Sequence, residues 1–148
     1  MGTWEENLIS DDEGIRALLA RTRRVAVLGI KPEAQASQPA FYVPAALAAA
    51  GVEIVPVPVY FPEVKEILGR PVYRKVADVP GELDLVDVFR RPADVPAHVP
   101  DLLAKRPSAV WLQLGIRSDE AAEALARAGI RVVQDRCLKV EWARLGPR

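Results

Sequence analysis

Arg24-Val25-Ala26-Val27-Leu28-Gly29-Ile30-Lys31 is a short apolar run that ends on one glycine and opens into a Pro/Ser/Gln loop before an alanine-rich stretch of helical character. A strand delivered through a turn into a helix N-terminus leaves backbone N–H groups free where a phosphate can sit. The next apolar run, Val52-Glu53-Ile54-Val55-Pro56-Val57-Pro58, follows at the spacing of a βαβ unit. The chain therefore begins like a nucleotide-binding fold. After Gly29 no second or third glycine follows, so the G-x-G-x-x-G fingerprint is missing and the ligand need not be NAD.

Outward from this unit, helices and strands alternate. Ser10-Asp11-Asp12-Glu13 reads as a capping box with Ser10 as N-cap, and Ile15, Leu18 and Leu19 supply the apolar stripe of a leading helix. The first crossover helix is expected to begin between Pro39 and Val43 and to reach Ala50, with Gly51 stopping it and Pro44 close to its start. Glu63 to Leu68 reads as a short helix ended by Gly69, and Pro71-Val72-Tyr73 as an extended piece. Leu83 to Phe89 is the third strand, Val95 to Lys105 a helical segment, and Ala109 to Leu114 the fourth strand. Ser118 caps the next helix, Gly129 stops it, Ile130 to Gln134 is the fifth strand, and Leu138 to Leu145 the last helix.

Strands that are apolar at nearly every residue and separated by helices indicate a parallel sheet buried on both faces. The expected architecture is α/β: a single Rossmann-like doubly wound domain over residues 1–148 with a five-stranded, mainly parallel sheet, residues 1–10 forming a flexible N-terminus. A chain of 148 residues is long enough to bury roughly 70% of its unfolded surface.

Basic and acidic residues balance at twenty each, and no long single-sign run occurs, which argues against nucleic acid or membrane surfaces as partners. The longest apolar stretch, Ala40 to Val52, is too short to span a bilayer. Met1-Gly2-Thr3-Trp4-Glu5-Glu6 has neither the basic nor the apolar region of a signal peptide, so a cytoplasmic location is expected. Cys137 and His98 are the sole residues of their types, which leaves no thiolate metal cage, no internal disulfide and no expected metal site. Fifteen Arg against five Lys, thirteen Pro and a single Asn fit a thermostable protein.

In a doubly wound sheet, ligands lie beyond the carboxyl ends of the strands. The residues there are Gly29-Ile30-Lys31, Pro56-Val57-Pro58, Phe89-Arg90-Arg91, Gln113 to Arg117 and Gln134-Asp135-Arg136-Cys137. Together with Glu66-Ile67-Leu68-Gly69-Arg70-Pro71-Val72-Tyr73, Asp87-Val88-Phe89-Arg90, Val110-Trp111-Leu112-Gln113-Leu114-Gly115-Ile116 and Asp135-Arg136-Cys137-Leu138, this pattern resembles the small CoA-binding proteins that match the CoA-binding domain of the succinyl-CoA synthetase α subunit. The resemblance covers about residues 11 to 145, and Trp-Leu-Gln-x-Gly-Ile combined with Asp-Arg-Cys is its specific part.

The resemblance implies a domain that holds coenzyme A or an acyl-CoA as a small-molecule ligand, with the pyrophosphate over the first crossover helix. The positions it implies for the ligand are Gly29, Ile30, Lys31, Gln38, Pro39, Phe41, Val57, Pro58, Phe89, Arg90, Gln113 and Gly115. The family commonly carries Gly-x-Ser after strand one, Arg-Pro-Ser entering the helix and Asn-Pro after strand two. Here Gly29-Ile30-Lys31, Gln38-Pro39-Ala40 and Pro58-Val59 stand in those places.

Each position also has a plainer role open to it. Gly29 suits a tight turn, Lys31 a solvated surface, Arg90 an ion pair, Gln113 a loop cap, and Cys137 a small buried hydrophobe. Trp111 belongs in the core, Asp135 and Arg136 suit pairing with their own chain, and His98 suits a helix surface. Three functions are open: non-catalytic binding of CoA or acyl-CoA, an enzyme acting on CoA thioesters through Cys137 or Asp135, and an NAD or adenine dinucleotide binder. No nucleophile, base and orienting group fall together, so no catalytic residue is assigned. Val57-Pro58 at the end of strand two offers no acid for a ribose diol, which disfavours NAD.

Overall fold

The computed structural model describes residues 2–148. Its core is a five-stranded sheet of β1 (Arg24–Leu28), β2 (Glu53–Val57), β3 (Leu85–Val88), β4 (Ala109–Leu112) and β5 (Arg131–Val133), in the spatial order β2-β1-β3-β4-β5. All four pairings are parallel, so the expected α/β doubly wound sheet is what the chain forms. The order reverses between β1 and β3, and a crevice opens there at the carboxyl edge.

Alternation of side chains along the strands divides the core in two. On one face Val25, Val27, Leu85, Trp111 and Val133 meet α1 (Asp12–Ala20), α2 (Pro39–Ala49) and α5 (Leu138–Leu145) through Ile15, Leu19, Val43, Leu47 and Leu138. On the other, Ala26, Leu28, Val86, Val88, Val110 and Leu112 meet α3 (Val99–Lys105) and α4 (Asp119–Arg127) through Leu102, Ala121 and Leu125. Trp111 is fully buried, as expected, and its indole N–H donates to the Arg136 carbonyl at 2.8 Å.

Asp87 breaks the apolar pattern. It stands on β3 in register between Val27 and Trp111, fully buried, with neither carboxylate oxygen hydrogen-bonded. Burial without a partner pushes its pKa well above the usual carboxylate range, which favours the neutral acid over the carboxylate.

Several local expectations are corrected. The cap of α1 is Asp11, whose carboxylate accepts from the Gly14 N–H at 3.0 Å, while Ser10 contributes only a carbonyl, which accepts from Arg136. A carboxylate meets the helix dipole better than a hydroxyl does. Glu63 to Leu68 is not a helix: Glu66–Ile67 and Arg70–Pro71 pair antiparallel as a small hairpin. Leu68 and Gly69 both take positive φ, 54° and 72°, which is the geometry of a two-residue hairpin turn. The Leu68 N–H donates to the Glu33 carboxylate at 2.8 Å, so a residue outside the hairpin secures this turn.

Pro92–His98 is a 3₁₀ helix that becomes regular only at α3, because Pro96 and Pro100 each lack the N–H that an α-helix uses. Before α1, Trp4–Asn7 form a 3₁₀ turn. The Asn7 amide donates to the Ala126 carbonyl, and Leu8 bridges to Val132 beside β5. Among the described residues no helix is long and apolar enough to cross a membrane.

Candidate functional site

Beyond the carboxyl ends of β1, β3 and β4, register continues for one more residue and brings Gly29, Phe89 and Gln113 side by side. The Phe89 N–H donates to the Leu28 carbonyl at 2.8 Å, and that of Gln113 to Val88 at 3.3 Å. This row forms the floor of a cavity of about 510 Å³, within the size range of small-molecule sites. Asp87 lies two rows beneath it, between Val27 and Trp111.

Gly29 has to be glycine. Its φ is +88°, and a Cβ there would stand 2.2 Å from the Phe89 carbonyl oxygen. The tight turn and the close approach of the floor strands therefore share one cause.

The wall contributed by the loop after β1 begins with Lys31, which is half-buried and lines the cavity, followed by Gln38 and Pro39 at the start of α2. Several amides of this loop are already engaged. The Gly29 N–H donates to Val57 and the Lys31 N–H to Ala40, while those of Phe41 and Tyr42 both reach the Gln38 carbonyl. Gln38 is the N-cap of α2 without a capping side-chain bond, and Pro39 has no N–H. The polar equipment of this wall is thus the Lys31 ammonium, the Gln38 amide, the Ala40 N–H and the positive end of an eleven-residue helix.

Arg90 also lines the cavity, with 14% of its side chain exposed. Its Nε donates to Nε2 of His98 at 3.1 Å, Nη1 lies 3.4 Å from the Tyr60 hydroxyl, and Nη2 lies 3.7 Å from the Asp94 carboxylate. Its hydrogen bond and charge hold the Tyr60 hydroxyl below the usual phenol pKa. Arg91 donates to Asp94 at 2.9 Å and holds that carboxylate below its ordinary range. His98, half-buried rather than on a helix surface, has its pKa lowered first by burial and then by Arg90.

The remaining wall is apolar. Leu114, Ile116 and Cys137 line it from β4 and the start of α5, and Tyr42 and Tyr60 stand at the mouth. The Gln113 side-chain oxygen accepts from the Leu138 N–H at 3.3 Å, which ties the floor to the first turn of α5.

Of the positions singled out from the sequence, Gly29, Lys31, Gln38, Pro39, Phe89, Arg90 and Gln113 come together around this cavity. Ile30, Val57 and Pro58 are buried beside it. Phe41 packs into the core between α1, α2 and α5, so the aromatic that α2 turns toward the cavity is Tyr42. Gly115 is exposed, and its N–H donates to the Asp135 carboxylate at 2.6 Å. Asp135 and Arg136 bond to their own chain, Arg136 through Ser10 and Glu141.

From the sequence, Tyr60 has no expected place at the cavity and His98 only a helix surface. Tyr60 stands three residues past β2, at the edge where ligand residues were sought, and extending that search along the loop would have found it. His98 carries no local signal, because its role arises only when the proline-rich 3₁₀ turn folds back on Arg90.

The model of the CoA binding domain family matches residues 23–143. YneT of Bacillus subtilis is 32% identical over 129 residues, covering 87% of this chain and 92% of its own. A solved Thermus thermophilus structure, cell-free ID.343, is 41% identical, covers 92% of this chain and 99% of its own, and superposes with a TM-score of 0.83. A dinucleotide-forming acetyl-coenzyme A synthetase of Candidatus Korarchaeum cryptofilum shares the fold at a TM-score of 0.65 and 19% identity, over 80% of this chain and 27% of the synthetase.

Proposed function

The chain belongs to the CoA binding domain family, and from that premise we propose that it binds coenzyme A or an acyl-CoA without carrying out chemistry on it. The observation that carries this reading is the cavity at the β1/β3 switch point, with both Lys31 and Arg90 in its lining on a chain of zero net charge. The pyrophosphate lies at the positive end of α2, within reach of the Ala40 N–H and Lys31. The apolar wall of Leu114, Ile116 and Cys137 takes the pantetheine arm.

Charge decides the arrangement. A helix N-terminus supplies an anion only about 0.3–1 kcal/mol, whereas micromolar binding corresponds to about 8 kcal/mol. The side-chain cations and the apolar wall supply the balance. NAD is disfavoured because Val57 and Pro58 at the end of β2 are buried and present no carboxylate to a ribose diol. The non-catalytic reading is supported by the engagement of His98 with Arg90, which removes the one imidazole from service as a general base beside Cys137.

Calorimetric titration tests the assignment. CoA is expected to bind more tightly than NAD at equal concentration, and acyl-CoA thioesters to be recovered intact. Tighter binding of NAD, or no binding of either at millimolar concentration, rejects the assignment.

A further inference from the structure

Three groups converge on the guanidinium of Arg90, and the one at its Nε is His98. A ring nitrogen accepts a hydrogen bond only when unprotonated, so the 3.1 Å contact from Arg90 Nε to His98 Nε2 requires neutral imidazole with its proton on Nδ1. The other two contacts, to the Tyr60 hydroxyl at 3.4 Å and to Asp94 at 3.7 Å, are longer and leave Nη1 and Nη2 available to an incoming anion.

We propose that His98 is a positioning residue for the ligand's phosphates: neutral His98 holds Arg90 by Nε and so aims its two terminal nitrogens into the cavity. The inference rests on the reading of that cavity as a CoA site. His98 does not itself line the cavity and touches no ligand; it acts through Arg90.

Protonating His98 removes the acceptor and places a second cation against the guanidinium. Arg90 then turns toward Asp94, its remaining anionic neighbour, and away from the cavity. The charged and titratable groups facing His98 are Arg90 from the end of β3, Asp94 on the same 3₁₀ helix and Asp101 on α3, with Tyr60 and Arg91 around Arg90 itself. Burial and Arg90 favour the neutral ring, while Asp101 and Asp94 oppose them. Phosphate affinity accordingly falls as the solution is acidified through the range in which His98 takes up its proton.

His98 is the sole histidine of the chain, so its ring signals can be followed by NMR without assignment ambiguity. In the ligand-free protein its titration is expected below the ordinary value of about 6.5, and to move upward in Arg90→Ala. CoA titrations of the unsubstituted protein, His98→Gln and His98→Leu, each checked by circular dichroism, complete the test. Gln can accept from Arg90 and does not titrate, so His98→Gln keeps the affinity at pH 7.5 and still keeps it at pH 5.5. The unsubstituted protein loses affinity relative to His98→Gln as the pH falls through the His98 titration followed by NMR, and His98→Leu is about five- to twentyfold weaker at pH 7.5.

Parallel pH profiles for the unsubstituted protein and His98→Gln overturn the inference, as does an imidazole signal that ignores Arg90→Ala. Full affinity in His98→Leu, with Arg90→Ala still weakened, overturns the role of His98 while leaving the CoA site standing. Failure of the unsubstituted protein to bind CoA overturns both.

Discussion

The backbone N–H of Lys31 donates to the carbonyl of Ala40 at 3.1 Å. In an uninterrupted helix that carbonyl would accept from the residue four positions on, but Pro44 stands there and has no N–H to give. A proline in the sixth position of α2 is therefore tolerated because the loop after β1 supplies the missing donor. The same bond fixes the Lys31 backbone beside the helix N-terminus independently of its side chain.

That independence makes Lys31→Ala a clean probe of charge. The substitution is expected to weaken CoA binding roughly 5- to 100-fold, or about 1–3 kcal/mol, with an unchanged circular dichroism spectrum. The loss should shrink as salt is raised, because screening weakens a cation–phosphate contact. Calorimetry at two ionic strengths measures both effects.

Gly29→Ala should be costly to the fold. A Cβ would meet the Phe89 carbonyl at 2.2 Å, in a backbone conformation of φ +88° that L side chains rarely adopt. Strain and displacement of β3 together should lower stability by about 2–5 kcal/mol, read from urea unfolding midpoints.

Asp87 sets a pH dependence whose sign follows from burial. Its folded pKa is raised well above the unfolded value of about 3.9, so the folded state holds a proton that the unfolded chain releases. The contribution to stability is complete below the unfolded value and is lost as pH rises toward the folded one, at roughly 1.4 kcal/mol per pH unit within that window. Asp87→Asn cannot ionise, so its stability relative to the unsubstituted protein should improve as pH rises above the unfolded value, until the folded value is reached. Denaturation midpoints that run parallel across this range would show that Asp87 ionises freely in the fold.

Asp11→Ala removes the carboxylate that accepts from the Gly14 N–H, and Ser10 has no side-chain bond in place to replace it. A loss of about 1 kcal/mol is expected, whereas Ser10→Ala should change little. Paired thermal melts distinguish Asp11 from Ser10 as the cap.

The sheet was legible because its strands carry apolar side chains toward two helical layers, and few other structures call for that pattern. That Lys31 and Arg90 would lie at this cavity was legible for a related reason, since each follows a strand at the carboxyl edge of the sheet. The hairpin was not, because Val64, Ile67 and Leu68 have the spacing of a helical stripe. What decides the matter is a left-handed Leu68 secured by Glu33, a contact across 35 positions that no local pattern encodes. The capping residue of α1 was missed by a single position, where two adjacent side chains could both serve and only geometry selects Asp11. His98 and Asp87 belong to tertiary structure alone: one matters through a side chain it meets on folding, the other through a partner it does not meet.

The guanidinium of Arg74 donates to four backbone carbonyls, those of Tyr60, Phe61, Pro62 and Val64. Phe61 meanwhile takes a φ of 62°. Every acceptor in this clamp belongs to the main chain, so the clamp is blind to which side chains the loop carries. The path and length of the rim at Tyr60 are thereby constrained, while its chemistry is left open to substitution. A mouth built this way can be retuned toward a bulkier, smaller or more polar ligand by exchanging Tyr60 alone, with the backbone around it held in place from fourteen residues downstream.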